Sequence, residues 1–122
     1  MENQKSTHEI GVYGENKAVK YLLSQNYTIL ERNFRLRDGE IDIICTKNKD
    51  LIFVEVKHLP KGNPETLNHV LSSKKQKKII NTAKIYLQKN RQYNYRYIRF
   101  DVIALDVPGL DPVYHIENAF LE

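Results

Sequence analysis

The sequence predicts a single α/β domain in which helices flank a mixed central sheet. Two stretches repeat apolar residues at helical spacing, and at least four are rich in the β-branched and aromatic residues that favour strands. These elements follow one another in the order helix, three strands, helix, and one or two strands. The chain has 122 residues, of which 41% are hydrophobic and 28% charged, a composition that suits one folded domain with a modest core.

The first helix is predicted over residues 11–25, after a polar N-terminal extension over residues 1–10, so that residues 11–122 form the domain. Four residues share one face of this helix: Glu15, Ala18, Val19 and Leu22. Glu15 therefore lies on the apolar face, where an unpaired carboxylate is costly. Two interpretations are open. Glu15 is either a first-turn residue favoured by the helix dipole or a residue that faces a buried polar site.

Three strands are predicted after the first helix. Residues 27–32 form the first strand, and a basic turn over residues 33–39 ends in Asp-Gly, a common turn signal. Residues 40–45 and 51–57 are two β-rich runs joined by a short polar segment, which predicts a hairpin.

The register of this hairpin decides whether two carboxylates meet. The strand period of two places Glu55 and Lys57 on the same face. A loop with an even number of residues, centred on residues 48–49, places Asp42 directly opposite Glu55. A three- or five-residue loop would instead place Asp42 opposite the apolar face, so the hydrophobic pattern favours the register that joins the carboxylates.

Two carboxylates in this arrangement predict a metal site. At about 4 Å and an effective dielectric constant of about 20, their repulsion is on the order of 4 kcal/mol. Lys57 would offset part of this repulsion, and a cation bound by Asp42 and Glu55 would offset the rest. Hard carboxylate oxygens suit Mg²⁺ or Mn²⁺. The alternative is a structural salt bridge on a solvated sheet face.

The second half of the chain supplies one helix and the remaining strands. Proline and glycine residues over 58–66 predict a surface loop. A second helix begins between residue 67 and Ser72 and ends at residue 89, with a serine at 72 or 73 as its N-cap. Residues 97–105 form a further strand, and residues 113–116 an edge strand.

Basic residues beside these elements predict contacts with nucleic acid. Six are candidates: Arg35, Arg37, Lys74, Lys75, Lys77 and Lys78. The four lysines crowd a helix N-terminus, where cations oppose the helix dipole and an incoming phosphate would relieve the conflict. A solvated lysine-rich turn is the alternative. The net charge of +4 permits a polyanionic partner without requiring one.

Cysteine content and hydropathy predict a cytoplasmic protein that does not bind a membrane. The single cysteine, Cys45, cannot form an intramolecular disulfide and fits a small buried apolar residue in a reducing compartment. The polar N-terminus lacks the apolar run of a secretory signal. No stretch approaches the roughly 20 apolar residues that cross a bilayer.

Six short motifs lie in order along the chain. They are Gly14-Glu15 with Ala18, Arg32-Asn33-Phe34-Arg35, Arg37-x-Gly39-Glu40-Ile41-Asp42, Phe53-Val54-Glu55-Val56-Lys57, Arg99-Phe100-Asp101-Val102 and Asn118-Ala119-Phe120. Together they resemble the YraN-type family of uncharacterised bacterial proteins, from about residue 11 to residue 120.

This resemblance implies a restriction-endonuclease-like fold with a site of the PD-(D/E)xK nuclease type. Archaeal Holliday-junction resolvases share its helix glutamate, strand aspartate and E-x-K triplet. Carried over by motif, the implied catalytic residues are Glu15, Asp42, Glu55 and Lys57, with Asp42 and Glu55 as ligands of Mg²⁺ or Mn²⁺. The implied partner is DNA, and a homodimer is expected by analogy with the resolvases.

Three functions are compatible with these residues. A metal-dependent nuclease that hydrolyses DNA phosphodiester bonds, in a branched or repair intermediate, is favoured because a pure binding protein would not need an intact set of acidic residues and lysine. The alternatives are a non-cleaving nucleic-acid-binding module and an adaptor whose carboxylates only form salt bridges.

Overall fold

A five-stranded mixed sheet with one helix on each face forms the fold. The computed structural model describes residues 7–69, 71–91 and 97–121. Its elements in chain order are α1 (Thr7–Ser24), β1 (Thr28–Leu36), β2 (Gly39–Lys47), β3 (Asp50–His58), a 3₁₀ helix (Pro64–His69), α2 (Ser73–Lys89), β4 (Tyr97–Leu105) and β5 (Val113–Phe120). The strands lie in the order β1-β2-β3-β4-β5, and only the β3–β4 pairing is parallel. The predicted α/β class and order of elements are confirmed.

Several predicted element bounds differ from those in the structure. Helix α1 begins at Thr7, so residues 7–10 are helical, while residues 1–6 of the predicted extension lie outside the described ranges. Strand β1 continues to Leu36, and the prediction of a turn from residue 33 was wrong because pairing with β2 extends the strand. Strand β5 is likewise longer than predicted. No helix in the described ranges is long and apolar enough to cross a membrane.

The β2–β3 hairpin has the predicted register. Ile43 pairs with Val54, and Lys47 pairs with Asp50, which leaves residues 48–49 as a two-residue turn. The backbone of the first turn residue has a φ of 57°, as expected for a tight hairpin turn. Extending this register by one pair beyond Ile43–Val54 places Asp42 opposite Glu55.

The two sheet faces carry separate apolar clusters. On the α2 side the cluster includes Ile41, Ile44, Leu51, Phe53, Ile79, Ile80, Ala83, Tyr86 and Phe100. On the α1 side it includes Ala18, Leu22, Tyr27, Ile43, Cys45, Ile52, Val54, Ile103 and Leu105. Cys45 is fully buried and unpaired, and burial raises the pKa of its thiol to about 12, as expected for a structural thiol.

The alternation of faces in the β1–β2 ladder reverses at Asp42. Ile41 packs on the α2 side and Ile43 on the α1 side, although residues two apart in a regular strand share a face. Opposite this point, Asn33 has a φ of 52°, a left-handed conformation that asparagine tolerates better than most residues. The irregularity places Asp42 between the two faces of the sheet.

Candidate metal and nucleic-acid site

Asp42 and Glu55 meet at the end of the β2–β3 hairpin. They line one concavity of about 280 Å³ on the α2 side of the sheet, together with Gly39, Lys75 and Lys78. The hairpin register and this shared concavity agree with the predicted approach of the two carboxylates.

The carboxylate of Asp42 is held in a partly buried position. Its Oδ2 atom accepts a hydrogen bond from the backbone N–H of Val56 at 2.8 Å. Burial, and next the negative charge of Glu55, raise the pKa of Asp42 to about 7, although the Val56 hydrogen bond acts in the opposite direction. This direction is the one expected for a buried carboxylate with a second carboxylate beside it.

Two lysines contact Glu55. Lys57 Nζ lies 3.5 Å from Glu55 Oε1, and Lys75 Nζ lies 3.3 Å from the same oxygen. Burial, and next the contact with Lys75, lower the pKa of Lys57. The sequence predicted the proximity of Lys57, but it assigned Lys75 only to a general basic cluster. The period of a strand cannot show that a helix distant in sequence delivers a second ammonium group.

Glu15 faces a buried polar site on the α1 side. The residue is 8% exposed, and its Oε1 atom accepts hydrogen bonds from Arg32 Nε at 2.6 Å and Asn33 Nδ2 at 3.0 Å. Because α1 begins at Thr7, Glu15 is not in the first turn, so the buried-site interpretation is confirmed. Sequence reasoning missed Arg32 as its partner because that residue was placed at the end of a strand.

A second concavity, of about 250 Å³, connects Glu15 to Asp42 on the α1 side. His58 and Asn33 also line it. The other three predicted catalytic residues thus lie on two sides of Asp42: Glu55, with Lys57 in contact with it, on the α2 side, and Glu15 on the α1 side.

His58 is oriented by two residues that sequence reasoning did not single out. Its Nε2 atom lies 2.8 Å from Asp106 Oδ2, and Lys17 Nζ donates to Asp106 Oδ1 at 2.9 Å. The hydrogen bond from Lys17, assisted by the one with His58, lowers the pKa of Asp106. Asp106 follows β4 directly and would be hard to find from spacing, since it lies 48 residues from His58.

The six predicted nucleic-acid contacts divide into groups. Lys75 and Lys78 line the concavity that holds the carboxylates, whereas Lys74 and Lys77 are exposed elsewhere on α2. Arg35 forms an ion pair with Glu40 at 3.0 Å, and Arg37 lies in the β1–β2 turn. Ser72 caps α2 as predicted, accepting a hydrogen bond from the Lys75 N–H at 3.2 Å.

A magnesium-type ion fits the donor set at Asp42 and Glu55. In the described ranges no three His, Cys, Asp or Glu side chains converge into an all-protein metal site. Mg²⁺ commonly takes one or two carboxylates and completes its shell with waters and substrate phosphate. The contacts from Val56 and the lysines engage one oxygen of each carboxylate, Asp42 Oδ2 and Glu55 Oε1. The other oxygens would hold the ion.

Comparison with known proteins finds a family match over most of the chain. Residues 14–105 match the model described as Uncharacterised protein family UPF0102. A UPF0102 protein of Treponema denticola is 42% identical over 122 residues, covering 91% of this chain and 94% of the relative. One of Clostridium perfringens is 41% identical over 98% of this chain and 91% of the relative. One of Persephonella marina is 45% identical over 90% and 91%. These matches confirm the family resemblance drawn from the motifs.

Proposed function

We propose that this chain, which belongs to the uncharacterised protein family UPF0102, is a divalent-metal-dependent nuclease that hydrolyses DNA phosphodiester bonds. The observation that carries this proposal is the carboxylate of Asp42, partly buried and close to a second carboxylate, Glu55. Burial and that neighbour raise the pKa of Asp42 to about 7. A bound cation would relieve both the burial of charge and the repulsion.

The proposed reaction is the attack of water on a phosphodiester. The water oxygen forms a bond to phosphorus and gives up one proton to solvent, the bond from phosphorus to one ester oxygen breaks, and the leaving alkoxide takes up one proton from solvent. Asp42 and Glu55 would hold a divalent ion, which would supply Lewis acidity toward the phosphoryl oxygen and the attacking water.

The chain's own residues supply the remaining functions. Lys57, 3.5 Å from Glu55, orients the attacking water and stabilises charge that develops on the phosphate. Lys75, 3.3 Å from the same carboxylate, adds a second cation on the α2 side. Glu15, held by Arg32 and Asn33, lines the α1-side concavity together with Asp42 and orients water there.

We further propose that the domain has the restriction-endonuclease-like arrangement implied by the motifs. Three features support it: a mixed five-stranded sheet, one helix on each face, and an acidic pair at the open end of a hairpin. A shared fold does not establish a shared activity, which depends on the residues of the site.

A second candidate function is a non-cleaving nucleic-acid-binding module. The observation that favours it is the pair of ion contacts at Glu55, whose charge Lys57 and Lys75 already offset. The raised pKa of Asp42 argues against this alternative. A protein that binds no metal would become more stable if this carboxylate were replaced by a neutral residue.

Calorimetric titration of Mg²⁺ and Mn²⁺ into the wild type, Glu55→Gln and Lys57→Gln tests the proposal. We expect Glu55→Gln to abolish metal binding and Lys57→Gln to retain it. The exposed residue Glu65 provides a matched control, because Glu65→Gln removes the same charge away from the site. Cleavage is then measured on duplex, flap and four-way-junction DNA with each metal.

Lys57→Gln should lower the cleavage rate by about 10²- to 10⁴-fold while metal affinity is kept, the range usual for a group that transfers or orients protons. Metal binding that survives Glu55→Gln would contradict the proposed ligands. DNA binding without cleavage in either metal would identify the binding module instead.

A further inference from the structure

Three concavities meet at Gly39 and form one groove beside α2. The first, about 280 Å³, holds Asp42 and Glu55. The second, about 610 Å³, lies against the β1–β2 turn. The third, about 470 Å³, continues to Ile85 of α2. Gly39 and Lys78 line all three, and we name their union the Gly39 groove.

Close packing between the β1–β2 turn and α2 creates this groove. A Cβ atom at Gly39 would overlap the hydroxyl of Thr82 and would lie 3.4 Å from the carbonyl oxygen of Lys78. The Thr82 hydroxyl donates to that carbonyl at 2.8 Å, so the contact surface of the helix is well defined. With the turn seated directly on the helix, side chains of both elements form the walls.

Beyond the Asp42–Glu55 end, the walls carry two cations as well as the carboxylates of Asp38 and Glu40. Lys78 projects from α2, and Arg37 projects from the β1–β2 turn. Among the described residues, neither of these cations forms an ion pair, whereas Arg35 is paired with Glu40. An anion in the groove would therefore meet two charges that are not already neutralised by a carboxylate.

The size of the groove matches a short length of one nucleic-acid strand. Lys75 and Ile85 lie ten residues apart on α2, and at 1.5 Å per residue this spans about 15 Å, the axial rise of about four nucleotides. Ile85 is 37% exposed and provides apolar surface at the far end. The groove thus offers a carboxylate pair at Asp42 and Glu55, two cations at Lys78 and Arg37, and an apolar contact at Ile85.

We propose that the Gly39 groove binds the sugar–phosphate backbone of the strand that is cut, with Lys78 and Arg37 as phosphate contacts. This inference rests on the proposed function for its choice of partner, a nucleic acid. It also divides the lysines at the start of α2 by role. Lys74 and Lys77 are exposed on the same helix but do not line the three concavities of the groove, so they should contribute little.

The test compares two double variants that remove the same charge. The groove variant is Arg37→Gln with Lys78→Gln, and the control is Lys74→Gln with Lys77→Gln. Binding to fluorescein-labelled single-stranded and duplex DNA is measured by anisotropy in EDTA, over a series of salt concentrations. We expect the groove variant to bind at least about tenfold more weakly and to flatten the slope of log affinity against log salt by about 1.4–1.8, the value for two lost phosphate contacts. The control should leave the slope near that of the wild type.

A charge-preserving variant separates binding from folding. Arg37→Lys with Lys78→Arg should bind DNA within about threefold of the wild type, since each site keeps its positive charge. If the groove and control variants weaken DNA binding equally, or if the groove variant does not weaken it, the proposed role of the groove is refuted. Absence of DNA binding by the wild type would overturn it as well.

Parallel cleavage assays in Mg²⁺ keep the two proposals distinct. If the wild type cuts DNA while both double variants bind alike, the groove is refuted and the nuclease proposal stands. If DNA binds through Lys78 and Arg37 but is not cut, the groove stands and the nuclease proposal is refuted.

Discussion

The Asp42→Asn substitution is expected to stabilise the metal-free protein at neutral pH, although it removes a residue of the proposed site. Burial and the charge of Glu55 raise the pKa of Asp42 from 3.8 to about 7 in the folded protein. Below about pH 4 the carboxyl is protonated in both folded and unfolded chains, so its ionisation costs the folded state nothing. As the pH rises from about 4 to about 7, the unfolded chain loses this proton first and stability falls. Above about pH 7 the full cost is present.

The magnitude of this effect follows from the pKa difference. The rise in the pKa of Asp42 from 3.8 to about 7 corresponds to at most about 4 kcal/mol of unfolding free energy. The asparagine amide oxygen still accepts the Val56 N–H, so the substitution removes the charge and keeps the hydrogen bond. Because the folded site relaxes and admits water, we expect a gain of about 1–3 kcal/mol above pH 7.

Urea unfolding in EDTA measures this gain. The variant should exceed the wild type at about pH 8, and the gain at about pH 5 should be less than half as large. Asp111→Asn provides the control, since this exposed carboxylate lies on the loop between β4 and β5 and should show no such trend. Destabilisation at about pH 8, or an equal gain at both pH values, would refute the assignment of Asp42 as an electrostatically strained group.

Three further substitutions test buried polar contacts and close packing in the fold, each by urea unfolding. Arg32→Met should cost about 1–3 kcal/mol because it leaves the buried Glu15 carboxylate without its cation, and adding Glu15→Gln should recover most of the loss. Gly39→Ala should cost about 1–3 kcal/mol through overlap with the Thr82 hydroxyl, and Thr82→Ala should relieve it. Asp101→Asn should cost about 3–5 kcal/mol, since this fully buried carboxylate accepts from a guanidinium, an imidazole and a backbone N–H. Unchanged unfolding midpoints would contradict each assignment in turn.

The hairpin that carries the acidic pair was predictable because local rules and burial agree there. The strand period separated Glu55 and Lys57 from the apolar face, and only an even turn kept Asp42 away from that face. The pairs Ile43–Val54 and Lys47–Asp50 confirm this register. Because both faces of the hairpin are apolar, a one-residue slip would exchange the residues of the two clusters and place the carboxylates opposite apolar residues, so the core itself selects the pairing.

Other parts of the site depend on contacts that sequence spacing does not encode. Lys75 reaches Glu55 only because α2 packs across the sheet, 20 positions later in the chain. Arg32 reaches Glu15 because β1 packs beside α1, and Asn33, which was assigned to the turn, belongs to the strand and donates to the same carboxylate. Tertiary packing determines such contacts, and local propensity does not predict them. The cytoplasmic location and the homodimer stay predictions.

The position of Asp42 between two concavities follows from the irregularity in the β1–β2 ladder. In a regular strand Asp42 would share a face with Glu40 and Ile44, and its carboxylate would point to one side only. The left-handed backbone at Asn33 accompanies the reversal of faces, and the side chain of the same asparagine donates to Glu15 at 3.0 Å. The same residue thus stands opposite the reversal of faces and donates a hydrogen bond to the α1-side carboxylate. This dual contact explains how acidic residues on opposite faces of a sheet come to surround a single position.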